Sequence, residues 1–254
     1  MYFSHMAYIA SLSSYADARD FSSYATLKAL GAVRDLQEVA TQNNHRDIVS
    51  LGMILELQEL MANGMWQKVY ETLGNTEEQL NIAGEIAVVE KNSVDHASPS
   101  QENGCHIRPT EDSNLKKVLI VHALVIGTLF YTYVGDNAKA QSRMKMLHEM
   151  LDCGALGAFG KSGIVTVGFP DSPSSFDIQV THPRIVYALG FLVSCVAKRD
   201  PVGRKPKRRL FAQEGVLSIE RELRKEVSCT LCCSIAVRNS TELNASSSCM
   251  GIRI

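Results

Sequence analysis

Residues 124–147 read LVIGTLFYTYVGDNAKAQSRMKML, and their spacing decides the fold. The first half is apolar as far as Tyr133-Val134, Gly135-Asp136-Asn137 interrupts it, and the second half sets Ala140, Met144 and Leu147 three or four residues apart. Such spacing keeps side chains on one face of an α-helix, and a glycine just past a helix end tolerates the left-handed backbone that reverses the chain. The segment therefore predicts two helices folded back on each other at Gly135. Tyr131 is the aromatic knob between them, and Ala140 is small enough to let the backbones approach.

The helical period extends on both sides. Towards the N-terminus, Tyr24, Leu27, Leu30, Val33, Leu36 and Val39 form one apolar face. A second helix carries Ile48, Leu51, Ile54, Leu55, Leu57, Leu60 and Met61 and stops at Asn63-Gly64, and Trp66, Val69, Tyr70 and Leu73 open a third. Residues 81–114 turn polar, and residues 65–114 hold 9 acidic and 3 basic side chains, which predicts an acidic loop or linker. Beyond Leu151, the runs Ile164–Val167 and Phe176–Val180 alternate like strands around Pro170-Asp171-Ser172-Pro173 and predict a hairpin inserted between helices. Two further helices, Ile185–Ala197 and Leu210–Arg224, flank a basic turn.

The expectation is an all-α chain in four parts: N-terminal helical repeats over 1–80, the linker over 81–114, helical repeats over 115–226 with a hairpin at about 160–182, and a Ser/Cys-rich tail over 227–254. Composition agrees, since 45% of the 254 residues are hydrophobic, 21% charged and 7% aromatic, with a single Trp66. Lys and Arg number 26 against 27 Asp and Glu, a balance that excludes a general binder of the phosphate backbone. The opening residues lack a basic n-region and predict no secretory leader. Seven cysteines, an odd number, suit reduced thiols. Val118–Phe130 contains His122 and falls short of the roughly 20 residues of a membrane span, which predicts a buried helix.

Four patterns hint at chemistry and fall short of it. Gly154–Ser162 approaches a phosphate-binding loop, but Ala155 stands where its first glycine is needed and a helix precedes where a strand should. His148-Glu149-Met150-Leu151-Asp152 resembles a zinc-protease helix until Asp152 replaces the second histidine, leaving the strip to face solvent. Cys229, Cys232, Cys233 and Cys249 lack a matching second pair of ligands, and Cys195 reads as a small core residue. No nucleophile, base and orienting acid assemble, so no catalytic residue, metal or cofactor is expected. The strongest charge feature is Lys198–Arg209. Arg204, Lys205, Lys207, Arg208 and Arg209 compose an import signal, a contact for DNA phosphates or an acidic partner, or a solvated loop.

Tyr131, Gly135, Ala140, Met144 and Leu147 resemble the offsets of a tetratricopeptide repeat, with Leu124 and Gly127 approximating its first-helix motif, and Gly64, Trp66, Val69 and Leu73 echo the same unit. The alternative is an unrelated helix bundle. At greater length, LFYTYVGDNAKAQSRMKMLHEMLD, QVTHPRIVYALGFLVSCVAKRDPVGRKPKRRLFAQEGV and ARDFSSYATLKALGAVRDLQEVATQNNHRDIVSLGMILELQELMANGMWQKV resemble the fungal Mau-type cohesin-loading factor over residues 1–226. That family is longer and the pattern is left after Glu226, so a partial or altered chain is expected. The resemblance implies a tetratricopeptide-like superhelix without catalysis, binding the large NIPBL-type loader subunit and, through it, cohesin and chromatin in the nucleus, with no membrane and no small-molecule substrate. An unrelated helical-repeat scaffold, or a nucleotide enzyme using Gly160, Lys161 and Ser162, are the other readings.

Overall fold

Three helix-to-helix reversals repeat one backbone device. Asn44, Gly64 and Asn81 each take a left-handed φ, at 57°, 65° and 61°. The amide after each donates to a carbonyl five residues back, His45 to Ala40 at 2.9 Å, Met65 to Leu60 at 2.9 Å and Ile82 to Glu77 at 3.0 Å. This arrangement satisfies helix-end carbonyls while turning the chain through a tight corner. The helices it joins are α2 (Ser23–Gln42), α3 (Arg46–Ala62), α4 (Trp66–Gln79) and α5 (Ala83–Val94), preceded by α1 (Tyr2–Ala16). Gly135, at φ 91°, makes the shorter version between α6 (Asn114–Val134) and α7 (Asn137–Asp152). Ser113 and Asp136 cap the starts of these two helices by accepting from the amides of Lys116 and Lys139, each at 3.1 Å.

The computed structural model describes residues 2–16, 23–94, 113–169, 172–198, 207–226 and 249–250. After α7 come a 3₁₀ turn (Ala155–Phe159), β1 (Ile164–Phe169), β2 (Ser172–Gln179), α8 (Pro183–Ala197), α9 (Lys207–Glu226) and the two-residue β3 (Cys249–Met250). β1 and β2 pair antiparallel from Ile164 opposite Gln179, and β3 adds to β2 in parallel. The described residues therefore form an all-α helical-repeat fold with a small β-hairpin. Neighbouring helices pack as antiparallel pairs, α2 on α3, α6 on α7 and α8 on α9.

α6 lies at the centre, against α3, α4, α7, α8 and the 3₁₀ turn. It is the one described helix long and apolar enough to cross a membrane, yet 72% of its most apolar window is already buried by protein. Its buried His122 sits 2.8 Å from the Val118 carbonyl through Nδ1 and 3.2 Å from Thr181 Oγ1 through Nε2, so α6 also anchors the stretch leading into α8.

One expectation is corrected. The linker over 81–114 begins as helix, because Ile82 and Ile86 are buried and Val89 packs beside them; three anchors at helical spacing outweigh the polar residues between. Residues 95–112 lie outside the described residues. The glycine-rich stretch after α7 is an ordered 3₁₀ turn pinned by fully buried Phe159.

Ala140 is 1% exposed where α7 meets α6. Ala140→Glu would bury an unpaired carboxylate and is expected to cost about 3 kcal/mol or more, read as a lowered melting temperature. An unchanged value would place Ala140 outside the α6–α7 contact.

Candidate functional site

α7 carries Ala140, Met144 and Leu147 on its buried face, and Arg143 stands on the same face. An arginine there needs compensation, which arrives from two distant helices. Its Nε and Nη2 each donate at 2.7 Å to the two carboxylate oxygens of Glu77 on α4, a two-pronged pair whose side chains are only 5% and 7% exposed. Nη1 donates to Glu90 of α5 at 3.2 Å and to the Lys139 carbonyl at 3.0 Å. The guanidinium lies 4.2 Å from the centre of the Tyr131 ring, and the Lys139 ammonium lies 5.3 Å from it. A Cβ on Gly127 would come within 2.9 Å of Arg143 Cδ, so the glycine in α6 makes room for the guanidinium.

The charges of this cluster balance: Arg143 and Lys139 against Glu77 and Glu90. Burial alone would lower the Arg143 pKa, but the hydrogen bond and charge of Glu77 raise it above its ordinary value. Tyr131 is pushed from 10.0 to about 12, chiefly by burial, with Arg143 pulling it down and Glu77 up. The arrangement is a clamp on four helices.

The residues singled out by spacing fall as follows. Tyr131, Ala140, Met144 and Leu147 are buried at the α6–α7 contact, and Gly135 is the exposed reversal between the two helices. Arg204 and Lys205 lie outside the described residues, Lys207 opens α9, and Arg208 and Arg209 are exposed on its first turn, which holds no acidic residue. Gly160-Lys161-Ser162 leads into β1, so no helix N-terminus stands behind it to receive a phosphate.

His148 departs from the solvent-facing strip expected of it. Its Nε2 lies 2.6 Å from Ser194 Oγ, which itself donates to the Gly190 carbonyl at 2.7 Å, so the imidazole is the donor in the first contact. Burial lowers the His148 pKa, Asp152 raises it and Lys198 lowers it. With Ser194 fully buried, the pair ties α7 to α8 and offers no accessible nucleophile. Cys153 is disulfide-bonded, which departs from the expectation of reduced thiols throughout, and Cys195 is a free thiol. Cys229, Cys232 and Cys233 lie outside the described residues, and among those described no group of His, Cys, Asp or Glu could hold a metal ion.

Several large apolar side chains are exposed. Trp66 stacks on Tyr133 with centroids 4.1 Å apart, joining the start of α4 to the end of α6, with Tyr133 66% exposed. Larger still is the apolar surface of α8 and α9, where Ile185, Leu192, Leu210 and Val216 are all more than half exposed. Comparison with protein-family models, with curated proteins and with solved structures returns no match. The class the fold defines is an all-α helical-repeat protein, and its usable surfaces are helix faces.

Sequence reasoning missed Arg143, Glu77 and Glu90. The signal was present: Arg143 occupies an apolar-stripe position between Ala140 and Leu147, and Glu77 follows Val69 and Leu73 on the buried side of α4.

Arg143→Met strands the Glu77 carboxylate in the interior and is expected to cost about 3–5 kcal/mol in denaturant unfolding. Adding Glu77→Leu should recover part of that loss, whereas equal losses in single and double variants would show that the two groups are uncoupled.

The raised Tyr131 pKa makes its contribution complete below pH 10, and it fades as pH climbs through about 12. Tyr131→Phe should accordingly flatten the fall in stability over that alkaline window; an unaltered slope would remove the tyrosine from it.

Proposed function

We propose that this chain is a non-catalytic binding subunit of a cohesin-loading complex, pairing with the large NIPBL-type loader and supporting cohesin loading on chromatin and sister-chromatid cohesion. The observation that carries the reading is the stack of antiparallel helix pairs, α2–α3, α6–α7 and α8–α9, each burying one side against a neighbour. Such stacks offer long side-chain-lined surfaces to extended partners, many weak contacts adding up along the groove. The resemblance over residues 1–226 is what favours this partner over another. A different client on the same architecture is the second reading, and purification of the tagged chain from nuclear extract separates them. Recovery of the large loader subunit supports the first; a different stoichiometric partner in its absence supports the second.

The basic segment belongs to this proposal as an import signal or a contact for chromatin or an acidic partner. Arg208 and Arg209 stand exposed in the first turn of α9, where positive charge gains nothing from the helix dipole. Replacing Lys205, Lys207, Arg208 and Arg209 by Gln should leave the melting temperature almost unchanged while reducing nuclear accumulation or partner binding and flattening its salt dependence. Unchanged localisation and binding at both low and physiological salt would reduce the segment to a solvated loop.

A further inference from the structure

α8 uses three of its sides differently. Val186, Gly190, Val193 and Ala197 point into the core. Phe191 meets α9 so closely that a Cβ on Gly215 would lie 3.0 Å from its own Cβ. The remaining side carries Ile185, Leu189, Leu192 and Val196, at intervals of four, three and four residues. Ile185, Leu192 and Val196 are 60%, 58% and 41% exposed, and Leu189 is half-buried at the floor. That is the spacing of a seam between two helices, about 16 Å long, and no helix among the described residues covers it.

Charge says what kind of helix fits. α8 contains Arg184 and no acidic residue, Lys198 caps its end, and residues 182–209 hold eight Lys or Arg against the single Asp200. A second copy of this chain would bring Arg184 and Lys198 against their like, whichever way the two helices ran, which disfavours self-pairing. We propose that the Ile185–Val196 face of α8 is a docking seam for an acidic amphipathic helix of a partner chain, with leucine-like residues at three-and-four spacing and carboxylates that reach Arg184 and Lys198. The stripe supplies apolar burial, and the positive charge at its two ends excludes cationic helices. The proposal is independent of the cohesin-loader reading, because it is tested on the purified chain alone.

The probe is a 21-residue peptide with Leu at the a and d positions of each heptad and Glu at e and g, against a twin in which every Glu is Lys. Saturable binding of the acidic peptide is expected, at least tenfold tighter than its twin, at least tenfold weakened by Leu192→Glu, and unchanged by Val134→Ser, a control at an exposed apolar position on α6. Because Leu192 is exposed, the variant should keep the parent's circular dichroism and melting temperature; Leu192→Ser, with the same loss expected, checks that repulsion by the new carboxylate is not the cause. Equal binding of both peptides, binding of neither, or sedimentation as a dimer that Leu192→Glu dissolves would overturn the proposal, the last by making a second copy the occupant.

Discussion

A guanidinium sealed inside a helical protein is a constraint on everything around it. Arg143 must find its counter-charges within reach of one side chain, so α4 and α5 have to arrive beside α7 with Glu77 and Glu90 in place. It also sits over the Tyr131 ring, and Gly127 of α6 leaves room for its side chain. Four helices are thereby fixed in position and rotation, as nondirectional apolar packing alone would not fix them. Replacement of such a cluster by well-packed apolar residues is frequently no less stable, so its contribution here is best described as specificity: it rejects any packing of α4 and α5 that leaves Arg143 without partners.

Around that fixed point the rest of the chain is economical. One left-handed residue and one long-reach amide bond reverse the direction at Asn44, at Gly64 and at Asn81. Because the corner has the same form each time, successive helices run antiparallel in a stack. Central α6 is then covered on several sides, while α8 at the far end keeps one apolar side open. Stacked architectures bury each element against its neighbours and leave the last face for something else, which is why exposed leucines concentrate there and not evenly over the surface.

What was legible in the sequence follows from the range over which each feature acts. Gly64 and Gly135 were readable because a positive φ is a local demand that glycine meets at no steric cost. The faces of α2, α3, α6 and α7 were readable because burial imprints a period of three to four. α5 escaped since the described apolar residues that face inward, Ile82, Ile86 and Val89, form a pattern diluted by Glu85, Glu90 and Lys91. The Arg143 cluster escaped for a different reason. Its partners lie 53 and 66 residues away, so nothing adjacent records the pairing, and the traces are a charged residue in each of two apolar stripes, Arg143 on α7 and Glu77 on α4. His148 likewise looked solvent-facing until α8 supplied Ser194 from 46 residues on. As for function, charge composition marked residues 204–209, the open side of α8 emerged only from its exposure in the fold, and the identity of a partner is written in the partner.

The bonds that join α1–α5 to the remainder are made by groups distant in sequence: Glu77 and Glu90 with Arg143, Trp66 with Tyr133, Asp47 with Ser113 at 2.6 Å. None of these contacts uses the covalent connection through residues 95–112. The protein is in this sense two complementary pieces that happen to share a chain. The connection governs how often the pieces meet and leaves how they fit to the side chains, and since closing a longer loop costs only about 0.6 kcal/mol per doubling, its length is free to vary widely while both pieces keep their shape.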